Sequence, residues 1–408
     1  MTASPDAAPP SLDRTVTLPA LIFYGLGVTV GAGIFALIGE TLGLAGDHAP
    51  LSFLVAGVLV GFTGFSYMVL VGAFPRAGGE AVYVTRGLGP AAGRIAGLAV
   101  VATGVITGAV VALAFAGYVA SLVTIPERAT AVAVVVISGA VAWWGVRESV
   151  MLAGVITVLE VGTLVVVVAF GADLLTTPGL YGDAFVPAIE TSVLAPILAG
   201  SVIAFFAFVG FENIANLAEE TVDPKRTAPL AIAAVLVISL TIYVLLALVA
   251  VAAPDRAEIT ESSAPMAALF EQVSGLSSRP VASIAAIAML NGILIQVVMA
   301  SRVLYGMAKE RLLPDYFVQV DPRRKTPARS TLLVTVAMVV LILFFPLVQL
   351  ARLTSLVTLG VFALVNSALF VLGRRHKVGK AGLAPWVGLT GAVLCAALAT
   401  WQLVDGLG

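Results

Sequence analysis

The chain has 408 residues, 60% of them hydrophobic and 11% charged, with a mean hydropathy of +1.07. Soluble domains carry about 25% charged residues, so this composition excludes a soluble globular protein and reads as an all-α polytopic membrane protein. A formal net charge of −1 leaves no basic excess for nucleic acid, and a lone cysteine, Cys395, excludes an internal disulfide and a cysteine-held metal.

Residues 1–17 read as a short disordered cytoplasmic tail, rich in Pro and Ala and without the basic start and small-residue cleavage site of a signal peptide. A bilayer core of roughly 30 Å needs about 20 apolar residues per helix. Runs of that kind lie near 18–38, 51–74, 92–123, 129–146, 149–172, 193–217, 228–252, 280–308, 329–346, 350–373 and 383–404, which predicts eleven spans. The third and eighth are long enough to be tilted. With the N-terminus inside, every Lys and Arg except Arg128, Arg256, Arg279 and Arg352 falls on the cytoplasmic side. Positive charge prefers that side, so the N-terminus is expected in the cytoplasm and the C-terminus outside, in the cytoplasmic membrane. Asp173 to Glu190 and Pro254 to Arg279 become the longer outer loops, the second with a short surface helix at Pro265 to Phe270. Arg311 to Arg329 is the most basic inner loop, and His48 and His376 fall in opposite end loops, which argues against a histidine metal centre.

Within the first span, Gly25-Leu26-Gly27-Val28-Thr29-Val30-Gly31-Ala32-Gly33-Ile34-Phe35 has Gly or Ala at five of eleven positions. Gly costs about 1 kcal/mol against Ala in a helix interior, so Gly31 and Gly33 mark a place where the helix can open. Close helix packing through a GxxxG pattern, Gly27 to Gly31, is the alternative. The sixth span repeats the feature in Phe205-Phe206-Ala207-Phe208-Val209-Gly210-Phe211-Glu212, with an ionisable group after the glycine. Gly-interrupted spans at matching places in two halves point to a binding site at an inverted-repeat interface. The expected fold is therefore a LeuT-like five-plus-five inverted repeat with broken first and sixth helices: residues 18–172, then 193–373, with an additional helix at 383–404.

Four stretches together resemble one family. They are Gly31-Ala32-Gly33-Ile34-Phe35; Phe74-Pro75-Arg76-Ala77-Gly78-Gly79-Glu80-Ala81-Val82-Tyr83; Phe205 to Glu212 followed by Ala218-Glu219-Glu220-Thr221-Val222-Asp223-Pro224; and Asn291 with Ser301-Arg302-Val303-Leu304-Tyr305-Gly306-Met307-Ala308 and Leu313-Pro314. In this order they resemble the amino acid–polyamine–organocation permeases. Members commonly have twelve spans where eleven are read here; the repeat core needs ten. The resemblance implies an amino acid bound between the two breaks. Its carboxylate would sit on the N–H groups of Ala32, Gly33 and Ile34 at the positive start of the second half-helix. Its ammonium would face carbonyls near Val28 and Thr29 and near Phe206 and Val209, with Gly31 and Gly210 keeping side chains out of the way. Phe206 stands where the family has an aromatic that closes over the substrate. Apart from Glu212 the neighbouring side chains read as small and apolar, which suits a neutral amino acid.

Two membrane carboxyls remain. Glu160 lies in an apolar span with no basic residue within reach along the helix. Burial favours the protonated form of a carboxyl, so Glu160 is a candidate proton carrier; part of a sodium site and a purely structural anchor are the alternatives. Some proton-coupled relatives place a Lys at the corresponding point. Glu212 divides between proton relay and polar anchor, and Asn291 and Thr157 are neutral partners for either carboxyl. Glu80, Glu219, Glu220 and Asp223, with Arg76, Arg86 and Arg302, read as solvated helix-end charges or members of an inner gate.

Nothing in the sequence signals an enzyme or a cofactor: there is no nucleophile–base pair, metal-ligand spacing or phosphate-binding loop. The expected function is a proton-coupled importer of amino acids working by alternating access. An amino acid–amine exchanger, a sodium-coupled symporter and a non-transporting receptor are the alternatives.

Overall fold

The computed structural model describes residues 14–75, 79–145, 150–309, 313–321, 323–324, 326–378 and 382–405. Residues 1–13, Arg76, Ala77 and Gly78 of the second motif, and the basic Arg147, Arg311, Lys325 and Lys380 lie outside the described residues.

The fold is all-helical. In chain order the helices are α1 (Leu18–Thr29), α2 (Ala32–Ala45), α3 (Ala49–Ala73), α4 (Gly79–Leu88), α5 (Pro90–Ala120), α6 (Glu127–Trp144), α7 (Val150–Phe170), α8 (Leu180–Phe185), α9 (Thr191–Phe206) and α10 (Asn213–Asn216). There follow α11 (Pro224–Ala252), α12 (Arg256–Glu261), α13 (Pro265–Ser274), α14 (Arg279–Lys309), α15 (Ala328–Phe344), α16 (Leu347–Arg374) and α17 (Ala384–Asp405). Proline opens several of them, as at Pro19, Pro90 and Pro224, where a missing N–H costs nothing because the first turn has no acceptor for it. Among the described residues seven stretches are long and apolar enough to cross a membrane: 32–73, 90–120, 127–144, 224–252, 279–309, 347–374 and 384–404. Four shorter apolar helices, at 18–29, 154–170, 191–206 and 328–344, accompany them. The shortness of two of these, α1 and α9, is the mark of the interrupted spans.

Both interruptions are present. The first span splits at Val30 and Gly31 into α1 and α2. The sixth unwinds from Ala207 to Glu212 and resumes only as the single turn of α10. Long helices surround the breaks: α3 lies along α11, α5 along α14, and α16 against α5. Buried small side chains permit that approach, and buried polar ones fasten it. Asn366 on α16 accepts from Ser66 Oγ at 2.5 Å and donates to Thr63 Oγ1 at 2.8 Å, both on α3, and to Cys395 Sγ on α17 at 3.8 Å. The lone cysteine thus helps to pin the additional C-terminal helix to the bundle.

Three expectations are corrected. The helix at Pro265 to Phe270 exists as part of α13, but it is not a surface helix, since Pro265, Met266, Ala267, Leu269 and Phe270 are buried. It docks over α2 and α7 because its apolar face has nowhere else to go. The Tyr118 hydroxyl of α5 fixes it there, donating to Phe35 O at 2.7 Å and accepting from the Met266 N–H at 3.2 Å. The end of the expected tail is ordered: Val16 forms a parallel bridge with Thr221, with Val16 N–H donating to Glu220 O and Val222 N–H to Val16 O. Glu80, finally, is not a solvated helix-end charge. It is 5% exposed and accepts a hydrogen bond from the Tyr67 hydroxyl at 3.1 Å, since α4 folds back beneath α5 and α16 instead of lying in solvent.

Candidate functional site

The two breaks touch. Gly210 has φ of +134°, a conformation side-chain-bearing residues avoid, and a Cβ there would lie 2.6 Å from Val28 O and 2.9 Å from Val28 C. At Gly33 an added Cβ would lie 2.8 Å from Ala207 Cα. Glycine is required at both points because backbone meets backbone. Tyr243 of α11 completes the joint: its buried hydroxyl lies 3.0 Å from Thr29 O and 2.9 Å from Ala207 O, one carbonyl from each interruption. Its ring packs on Phe208 and Phe53, with centroids 5.0 and 5.9 Å apart.

A cavity of about 50 Å³ opens beside this joint. Of the residues expected from sequence, Val28, Thr29, Gly31, Ala32, Gly33, Phe206, Val209, Glu160 and Asn291 line it. No side chain caps the start of α2, so the N–H groups of Ala32, Gly33 and Ile34 lack partners within the helix and form its positive pole. The Ile34 side chain itself is fully buried in the core and does not line the cavity. Two of the carbonyls expected to receive an ammonium already accept a hydrogen bond, Thr29 O from the Tyr243 hydroxyl and Phe206 O from the Val209 N–H. Each keeps a second lone pair.

The small apolar lining expected around the site is only part of it. Thr107 of α5 and Gln296 of α14 also face the cavity. Four buried oxygens of the lining residues have no hydrogen-bond partner: Thr29 Oγ1, Thr107 Oγ1, Glu160 Oε2 and Gln296 Oε1. Glu160 is 2% exposed, and its Oε1 lies 3.9 Å from where a side chain on Gly31 would begin. Buried polar atoms are nearly always paired, so four orphans around one cavity mark a place for a polar ligand or water.

Glu212 and Gly210 do not line this cavity. They belong to a second one of about 40 Å³, with Glu80, Thr103, Asn213, Asn216, Thr358 and Phe362. There the Gly210 N–H donates to Glu212 Oε2 at 2.8 Å, so Glu212 closes a tight loop on its own break. Gln296 and Val209 line both cavities and separate them. A wider depression of about 260 Å³ lies further along α2, lined by Ala36, Glu40, Glu127, Arg128, Ser263 and Pro265 among others. The sequence reading missed Tyr243, Thr107 and Gln296. Each shares its apolar helix with other polar residues, Ser239 and Thr241 beside Tyr243, Thr103 beside Thr107 and Asn291 beside Gln296, so the sequence does not single it out.

A polar cavity between interrupted apolar helices, in an all-helical bundle, defines a membrane transport protein. The family described as amino acid permease matches residues 16–406, and the chain belongs to that family. Its relatives include an uncharacterized transporter of Mycobacterium tuberculosis, 33% identical over 96% of this chain and 88% of that protein. A mitochondrial cationic amino acid transporter 3 of Arabidopsis thaliana is 27% identical over 88% of this chain and 62% of its own length. The methylthioribose transporter of Bacillus subtilis is 25% identical over 97% and 89%. The family and these relatives are transporters, not enzymes.

Proposed function

We propose that this permease is a secondary active importer of amino acids, neutral ones among them, driven by protons across the cytoplasmic membrane by alternating access. The observation that carries the reading is the convergence of two helix breaks and four unpartnered buried oxygens on one cavity. In this reading the substrate carboxylate lies on the Ala32, Gly33 and Ile34 N–H groups and its ammonium on the free lone pairs near Val28, Thr29 and Val209. Phe206, 3% exposed and against Gly33, closes the site. Glu160 carries the coupling proton. An isolated ionised carboxylate at that depth costs several kcal/mol, so it takes a proton or a cation before the carrier turns over. Glu212 and Asn291 assist, Asn291 at the substrate cavity and Glu212 at the neighbouring one. The chain crosses the membrane eleven times as two inverted five-helix repeats and a final helix, with the N-terminus inside and the C-terminus outside.

The test is uptake of a mixture of labelled amino acids into proteoliposomes, acidic outside and free of sodium. Accumulation that collapses with an uncoupler supports the reading. Accumulation that begins only when sodium is added turns Glu160 into a cation ligand. Uptake that requires internal amino acid makes the protein an exchanger, and binding without any uptake makes it a receptor.

A further inference from the structure

Glu160 shares the cavity with the proposed substrate-binding backbone; it is not set apart from it. Among the described residues it is the one ionisable side chain lining that cavity. The elements packed on α7 offer no compensating cation there: α1 contributes Thr29 and glycines, α14 contributes Asn291 and Gln296, and α11 contributes the Tyr243 phenol nearby. The buried side chains of α13 are all apolar, and its one charged residue, Glu271, is an exposed acid. All four orphan atoms are oxygens; the Glu160 carboxylate and the Gln296 carbonyl only accept, whereas the Thr29 and Thr107 hydroxyls both accept and donate. A proton on Glu160 supplies one donor. An alkylammonium supplies three and has no acceptor, so it offers a donor to both acceptor-only orphans, Glu160 and Gln296, where a proton on Glu160 offers one.

We propose that Glu160 is a seat for one positive charge per cycle, filled by a proton when the substrate is a zwitterion and by the side-chain ammonium when the substrate is a diamino acid. The inference rests on the amino acid reading above. The physical ground is charge balance. The α-carboxylate and α-ammonium of any amino acid answer the α2 start and the break carbonyls, and they leave Glu160 uncompensated. A second ammonium compensates it directly and displaces the proton to bulk water. Both kinds of substrate then move the same net charge, and only the zwitterion brings a proton.

The experiment uses the full chain in sodium-free proteoliposomes with a pH-sensitive dye inside and the potential clamped, comparing labelled alanine with labelled lysine. The expected result is inward proton flux with alanine, and lysine uptake that follows the potential with none. In Glu160→Gln, lysine affinity falls at least tenfold more than alanine affinity, and alanine is no longer concentrated by a pH gradient. Glu160→Asp, which keeps the charge on a shorter arm, restores both in part and shows that the Gln variant did not lose them by misfolding. Equal proton flux with both substrates, no lysine binding, or equal affinity losses in Glu160→Gln overturns the proposal while leaving amino acid transport intact. Absence of uptake and binding for every amino acid overturns the underlying reading instead.

Discussion

Substitution of Gly210 by alanine tests the joint between the two breaks most directly. Two costs can be worked out. A non-glycine residue at φ of +134° carries backbone strain of about 1–3 kcal/mol. The new Cβ would also lie 2.6 Å from Val28 O, where ordinary contact begins near 3.4 Å, so the interruptions must separate by about 0.8 Å. The backbone on one side of the cavity moves with them, and the ligand loses groups that were in place before it arrived. If the strain falls on the binding-competent arrangement, substrate affinity drops by about 5- to 150-fold, since each 1.4 kcal/mol is tenfold. Binding in detergent of the amino acid identified by the mixture screen measures this, with thermal melting alongside to show that the variant folds. Gly61→Ala on α3 is the control: nothing lies within 4 Å of a Cβ there, and the helix gains about 1 kcal/mol of propensity. A folded Gly210→Ala protein that binds within twofold of the parent would refute the claim that the two breaks meet in a close and functional contact.

Other outcomes follow from the same geometry. Tyr243→Phe keeps the ring packing but removes the donor shared by Thr29 O and Ala207 O; a loss of about 1–3 kcal/mol is expected, read as a lower melting temperature, and an unchanged melt would show that the hydroxyl bonds neither carbonyl. Asn366→Leu leaves Ser66, Thr63 and Cys395 without their shared partner, so the melting midpoint should fall and the Cys395 thiol should become reactive to alkylation; full protection would mean that α17 is held by packing alone. In the loop before α15 the N–H groups of Arg324 and then Arg323 hold the Asp321 carboxyl below its usual range. A depressed folded value means that the bonds contribute fully above the unfolded pKa of about 3.9 and fade as pH falls through the folded one. Exchange protection of the Arg323 and Arg324 amides should follow that course, and pH-independent protection in the parent would sink it.

Much of the site was legible because glycine and charge are conspicuous in an apolar background. Gly31, Gly33 and Gly210 announced both interruptions, and Glu160 stood out as a carboxyl with apolar neighbours. Facing was harder. Glu212 follows a break in sequence, yet beyond Gly210, with its φ of +134°, it lines the second cavity and not the first, and no periodicity survives such a residue. Glu80 lies beside Gly79 and six residues before Arg86, which reads as solvated helix-end charge. Its burial depends on Tyr67, thirteen positions earlier on another helix. Tyr243 reached the joint only through the packing of α11 on α1 and α3, a tertiary fact that no local pattern carries.

The short pairing of Val16 with Thr221 joins the entrance of α1 to the segment that follows α10. Each broken span has an arm on that side, α1 before the first break and α10 after the second. Three backbone hydrogen bonds near the tips, from Thr15, Val16 and Val222 N–H groups, fasten them to each other. Two segments far apart in the chain, one leading into the first break and one leading out of the second, are therefore a single backbone-bonded unit.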